Sequence, residues 1–407
     1  MFKTLEKSLD RPLSDLELKK FKHTILNNVD IVKVHIDPVT KKRLTAYFVF
    51  NKNEEVIKNQ LNSFLNKWNE DLSKKENSKN NVNLINVNEP PIQKLNSCCS
   101  NSNNSNISNE LLEKKWITIL KGRDIGYTEE IVSLLNFFDK SYQDLVISEM
   151  SDSHKINKVG FSSLIPKYYM EKLGYFSNSP EHLFFASHLS LDSIEKFTEE
   201  SKTLGGHLPQ EEVFFESPEY VLQSAPCFKV YFSLEDEILN ENKIFNLKGH
   251  CFRNEIKNTY LLERLLNFTQ REFVFIGSPE FVVEGRDKSL ELTIEWMRKM
   301  GISGRCELAN DPFFINDDQK QKFNIPSKIK YEVRADIPYK DDSISIASFD
   351  THGDFFSRTF NFKLDNSENT WSGCIGLGIE RCVWSFLQQY GLDKEKWPTY
   401  VRQNYNK

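Results

Sequence analysis

The richest chemical text in the chain is GHCFRNE, Gly249 to Glu255. In an extended strand, residues two apart share a face, so Arg253 and Glu255 are expected to point the same way. A guanidinium forks onto a phosphate, and a carboxylate accepts from an amino group. Arg264 and Phe268 lie on the return path into a second strand, REFVFIGS, where a planar base could stack. The same pattern also fits a surface ion pair on an antiparallel hairpin.

A second stretch is SGCIGLGIERCVWSFLQQYG, Ser372 to Gly391. Gly373, Gly376 and Gly378 predict a strand that something approaches closely. The helix that follows carries Ile379, Val383, Phe386, Leu387 and Tyr390 on its buried stripe. Arg381 falls in the first turn, where the helix dipole disfavours a cation by a few tenths to ~1 kcal/mol. A bound polyanion would remove that conflict; a solvated arginine beside Glu380 fits as well.

A third set is scattered. Cys227, Glu272 and Cys374 could hold zinc with one coordination position open. Their spacings of 45 and 102 residues carry no local signature, so buried structural thiols fit equally. Cys251, Cys306, His250 and His352 are as eligible by residue type. The text contains no GxxxxGK[ST] loop, no GxGxxG opening a helix, no GxSxG elbow and no HExxH.

These residues need elements to carry them. Helical spacing appears in EEIVSLLNFFDKS, SLDSIEKFTEESKTL and SLELTIEWMRKMG. Strand-like runs include CFKVYFSL, KIFNLKGHCFRNE, EFVFIGS, YEVRADIP and SISIASFD. The mixture predicts an α+β domain, an antiparallel sheet carrying helices. From Asn77 to Asn109 there are 12 Asn and 6 Ser in 33 residues, too little apolar surface to offset ordering entropy. We therefore expect a small α/β unit at 1–76, an Asn/Ser-rich linker at 77–110 that includes Cys98 and Cys99, and a catalytic domain at 111–407. In the small unit, residues 15–27 and 54–68 have helical spacing, and DIVKVHID and LTAYFVF read as strands.

The chain has 407 residues and a formal net charge of −5, which argues against holding nucleic acid through one large basic face. No run approaches the ~20 apolar residues of a membrane span, so a cytoplasmic protein is expected. Seven cysteines at irregular spacing do not read as a disulfide framework.

FRNE with its return strand resembles motif 2 of class II aminoacyl-tRNA synthetases, and GLGIER resembles their motif 3. More narrowly, SAPCFKVY, REFVFIGSPEFV, ELANDPFF, SFDTHGDFFSRTF and CIGLGIER, colinear from about Gly126 to Val401, resemble the amino acid:[carrier protein] ligases. Those are truncated relatives of the zinc-dependent archaeal seryl-tRNA synthetases. The resemblance implies one Zn2+ per chain on Cys227, Glu272 and Cys374, and through the open position of that ion these residues form the binding site for the substrate amino group. It makes Arg253, Glu255, Arg264, Leu265, Phe268 and Arg381 ligands of ATP, with Mg2+ accompanying the nucleotide. Ser345 stands where many class II enzymes place a magnesium-binding Glu; Asp350, or Asp341 and Asp342, are candidates to compensate. The implied activity is ATP-dependent activation of glycine or alanine and transfer to the phosphopantetheine thiol of a carrier protein, by a homodimer. No tRNA partner is expected, because no long coiled coil precedes the catalytic domain. Lys320, Lys322, Lys328 and Lys330 are candidates for a carrier-docking patch or a solvated charged face. Alternatives are a tRNA-charging seryl-type enzyme and an inactive regulatory paralogue.

Overall fold

The computed structural model describes residues 2–9, 21, 25, 33–36, 43–49, 53–78, 94–95, 106–121, 124–178, 180–209, 212–255, 259–309, 330–365, 367 and 369–406. Cys98, Cys99, Lys320, Lys322 and Lys328 lie outside them. Contacts divide the chain into Met1–Pro91 with Glu255–Thr259, and Ile92–Asn254 with Tyr260–Lys407.

In the first unit, β1 (Phe2–Ser8), β2 (Lys33–Ile36) and β3 (Arg43–Val49) form an antiparallel sheet with β3 central. β2 and β3 are the two anticipated strands. β1, whose alternation is blurred by charges of both signs, was not anticipated. Phe21, Ile25, Leu44, Ala46, Ile57 and Leu61 make its core, the last two from α1 (Glu54–Ser78).

The second unit is built on an eight-stranded sheet. Its strands are β4 (Lys94–Leu95), β5 (Ile156–Lys158), β6 (Lys243–Phe252), β7 (Asn267–Gly277), β8 (Gly304–Leu308), β9 (Lys330–Ile337), β10 (Asp342–Gly353) and β11 (Trp371–Gly378). The order is β4-β8-β9-β10-β11-β7-β6-β5. Every neighbouring pair is antiparallel except β5 with β6 at the edge, which is parallel. Three helices cover one face: α2 (Glu129–Met150), α4 (Pro279–Met300) and α5 (Ile379–Tyr390). Phe138, Trp296 and Phe386 interlock there, with ring centroids 5.4–5.6 Å apart from Phe138.

Two elements depart from the sequence reading. CFKVYFSL is not a strand but the short helix α3 (Phe228–Phe232), whose five side chains are all buried. A segment buried on every side, Lys229 included, has no usable period, and its aromatic, β-branched composition imitates a strand. α4 begins ten residues before SLELTIEWMRKMG does, with Ser278 capping the Phe281 N–H at 3.3 Å and Pro279 at the first turn. Between β9 and β10 the register shifts at Val333/Arg334, which leaves Ile346 without a partner residue. Among the described residues, no helix is long and apolar enough to cross a membrane.

Candidate functional site

Register decides which side chains meet. On the face turned away from the three helices, Ser348, Gly376, Glu272 and Leu247 stand in one row across β10, β11, β7 and β6. Asp350 and Cys374 are paired one step along, and Phe268 stands opposite Cys251 near the end of β6. Residues two apart on each strand share this face.

β6 ends at Phe252, so Arg253 and Glu255 follow the strand instead of lying in it. Arg253 is still fixed: its backbone N–H donates to Leu266 O at 3.0 Å and its Nε to Ser224 O at 3.2 Å. Its guanidinium lies 5.1 Å over the Phe268 ring, a cation–π contact that holds the ring flat against the charge. Glu255, half-buried, closes the described stretch before residue 259. Arg264 sits in a turn closed by two backbone hydrogen bonds with Tyr260, at 2.8 and 3.1 Å. Leu265 is not brought to this face. It lines a cavity of about 510 Å³ on the helix-covered side, with Lys248, His250 and Glu380.

Cys227 caps α3, Glu272 lies mid-β7 and Cys374 mid-β11; all three are buried. The two thiols hydrogen-bond to each other, and the Glu272 carboxylate accepts from both the backbone and the thiol of Cys227. The Glu272 Oε2 atom is buried and has no hydrogen-bond partner. Burial pushes the Glu272 carboxyl up to about 8, against the Cys227 hydrogen bonds. The hydrogen bond with Cys374 and then burial raise the Cys227 thiol. For Cys374 the bond with Cys227 lowers the pKa, but burial carries it above the ordinary value. Among the described residues, no group of three or more His, Cys, Asp or Glu side chains is spaced to hold a metal ion. Still, two thiols and an orphaned carboxylate oxygen are a zinc-type donor set that burial biases towards the protonated forms, as for a site that sheds protons on taking a cation.

Of the other eligible groups, His352 reaches the trio, with Nε2 3.8 Å from Cys374 Sγ. Burial lowers its pKa to about 3, so the ring is neutral. Cys251 instead donates to Gln270 Oε1 at 3.0 Å, His250 lines the opposite face, and Cys306 packs into the helix-side core.

Arg381 is not a solvated arginine beside Glu380. Its Nε donates to Glu263 O at 2.8 Å and Nη1 to Ser345 O at 3.1 Å, so two carbonyl dipoles offset the unfavourable helix end. Glu380 turns elsewhere, accepting the Thr269 N–H on both oxygens at 2.9 Å. The Ser345 hydroxyl binds Glu332, a carboxylate that the sequence reading missed. Asp350 is raised to about 6 by burial, opposed by Lys330, while Asp341 and Asp342 are exposed at the hairpin end. Lys330 is no surface cation: it is buried and lies 3.4 Å from Glu332.

Residues 214–390 match the family described as the tRNA synthetase class II core domain (G, H, P, S and T). The Type-2 serine–tRNA ligase of Methanocaldococcus jannaschii is 28% identical over 305 residues, covering 72% of this chain and 58% of that protein. That of Methanococcus aeolicus is 29% identical over 305 residues, covering 70% and 56%. The chain therefore spans less than three-fifths of the length of these relatives. Among solved structures, M. kandleri SerRS in complex with A. aeolicus tRNASec superposes with a TM-score of 0.70 at 20% identity, covering 99% of this chain and 77% of that one. Giardia lamblia prolyl-tRNA synthetase with prolyl-adenylate gives 0.51 at 12% identity, covering 69% and 51%. These findings correct the carrier-protein expectation. The relatives are named serine–tRNA ligases, which charge tRNA, and one neighbour is solved with a tRNA bound, so a carrier protein as partner and the exclusion of tRNA both fall. The fold and the matches agree on a class II aminoacyl-tRNA synthetase-like architecture, in which residues 214–390 are similar to the class II core domain and the chain is similar to Type-2 serine–tRNA ligases.

Proposed function

We propose that the chain activates serine with ATP and transfers it to a tRNA, with the chemistry in residues 111–407. The observation that carries this reading is the convergence of Arg253, Phe268, Glu272 and Cys374 on one face of β6, β7 and β11 in a chain similar to serine–tRNA ligases. Phe268 stacks the adenine, Glu255 accepts from its amino group, and Arg264 borders the nucleotide, whereas Leu265 on the opposite face takes no part. Arg253 and Arg381 face its phosphates, with Mg2+ shielding the charge. The serine carboxylate attacks the α-phosphorus and pyrophosphate departs; a ribose hydroxyl at the tRNA 3′ end then attacks the acyl carbon and AMP leaves. The residues supply alignment and charge stabilisation, not a nucleophile.

The reading gives Cys227, Glu272 and Cys374 a zinc ion, supported by the orphaned Glu272 Oε2 and the paired thiols. When bound, zinc supplies a Lewis acid for the substrate's amino group. Elemental analysis checks this directly: wild type and Cys374→Ser are expected to differ by about one zinc per chain.

Serine-dependent ATP–pyrophosphate exchange, followed by charging of a serine tRNA transcript, tests the function. Exchange with serine and acylation of that tRNA are expected. No exchange with serine, or exchange without acylation, overturns the reading.

A further inference from the structure

We propose that Glu263 is a positioning residue that sets the plane of the Arg381 guanidinium, and through it the grip on the nucleotide phosphates. The proposal rests on the reading of Arg381 as a phosphate ligand. Glu263 lies on the return path from β6 to β7, and its side chain is 16% exposed. Its carboxylate accepts from Lys340 Nζ at 2.6 and 2.7 Å and from the Trp384 indole N–H at 3.1 Å. Its own carbonyl accepts from Arg381 Nε at 2.8 Å.

Arg381 and Trp384 are three residues apart on α5, hence neighbours on one helix face. Glu263 thus holds the same helix at two points, one through its main chain and one through its side chain. The third strap is the β9–β10 connection, which brings Lys340 to the carboxylate and stacks the ammonium 5.3 Å over the Tyr260 ring. The second acceptor on Arg381, Ser345 O, lies beside the register shift in β10, where a bulge re-aims the backbone. An arginine side chain is rich in rotamers, and two fixed acceptors remove much of that freedom before the nucleotide arrives.

An exposed Lys–Glu pair would contribute little and would touch nothing in the chemistry. Here the carboxylate and the carbonyl belong to one residue. Loss of the carboxylate's partners lets the turn drift, and the Arg381 anchor drifts with it. Misplacement by 1 Å costs on the order of 10²-fold in rate.

The test uses the full chain with Glu263→Gln, Lys340→Met and the double variant. Each is read by calorimetric titration with ATP and Mg2+ and by serine-dependent exchange. Each single variant is expected to weaken ATP binding about tenfold, while the KM for serine stays within twofold. The double variant should be no worse than the poorer single one, because the residues act together. Affinity for ATP within twofold of wild type in both single variants overturns the proposal, as does an equal rise in the ATP and serine constants. If wild type binds ATP but does not exchange with serine, the functional reading fails while the titrations still decide the role of Glu263. A wild type that binds no ATP overturns both.

Discussion

Asp139 on α2 is buried beneath the sheet and receives Arg271 Nε at 2.8 Å and Nη2 at 2.9 Å, with Lys248 3.0 Å away. Burial would raise its carboxyl, but Arg271 and then Lys248 hold it below the usual carboxylate range. A depressed folded-state pKa contributes stability that is present above the unfolded value and lost as pH falls through the folded one. Asp139→Asn leaves Arg271 uncompensated and is expected to cost about 3–5 kcal/mol in urea unfolding at pH 7. The difference from wild type should shrink as the pH drops below the carboxylate range; a constant difference would show that the charge is irrelevant. At this scale the sequence was least legible. Cys227, Glu272 and Cys374 are 45 and 102 residues apart, and only strand register brings them together. No local period encodes register, so they were reached through resemblance. Glu263 and Glu332 were missed because a glutamate near charged neighbours reads as solvated surface.

Elements fared better, because periodicity is local. β6, β7, β9, β10 and β11, together with α2 and α5, all stand on the expected segments. α3 failed for the opposite reason, since complete burial erases the period. The expectation of close approach at the β11 glycines divides. A Cβ on Gly373 would lie 2.8 Å from both Asp350 O and Val282 Cγ1, whereas one on Gly376 would meet nothing nearer than 3.5 Å. Gly373→Ala is therefore expected to lose about 1–3 kcal/mol in thermal or urea unfolding, as overpacked cores do. Gly376→Ala should unfold like wild type, and any defect should appear in serine-dependent exchange, because that methyl would stand beside Glu272 on the candidate face. Equal stabilities for the two variants would contradict the packing argument.

On the scale of the whole molecule, the −5 charge is unevenly spread. Residues 1–91 carry 16 Lys+Arg against 12 Asp+Glu, a net +4, which leaves −9 on the remainder. Net acidity averaged over the chain conceals this division, so it does not argue against a nucleic acid partner. If tRNA is held through phosphates, its KM in the charging step should rise on the order of tenfold or more between 50 and 200 mM salt. The exchange step, which needs only ATP and serine, should change less than twofold. Equal salt dependence of the two steps would argue against phosphate contacts.

The unmatched Ile346 has a consequence best seen as parity. Ile346 and the next residue, Ala347, are both buried in the helix-side core, so two successive side chains point the same way. Odd-numbered Ser343 and Ser345 therefore share the site face with even-numbered Ser348 and Asp350. Strand phase is a two-valued quantity, and this one residue resets it mid-strand. Deleting Ile346 would restore strict alternation, with Ser343 and Ser345 still on the site face and Ile344 and Ala347 still in the core, and would remove only the bulge beside the Ser345 carbonyl that receives Arg381. A single codon thus sets the path of the backbone past Arg381 while leaving the polar floor in place.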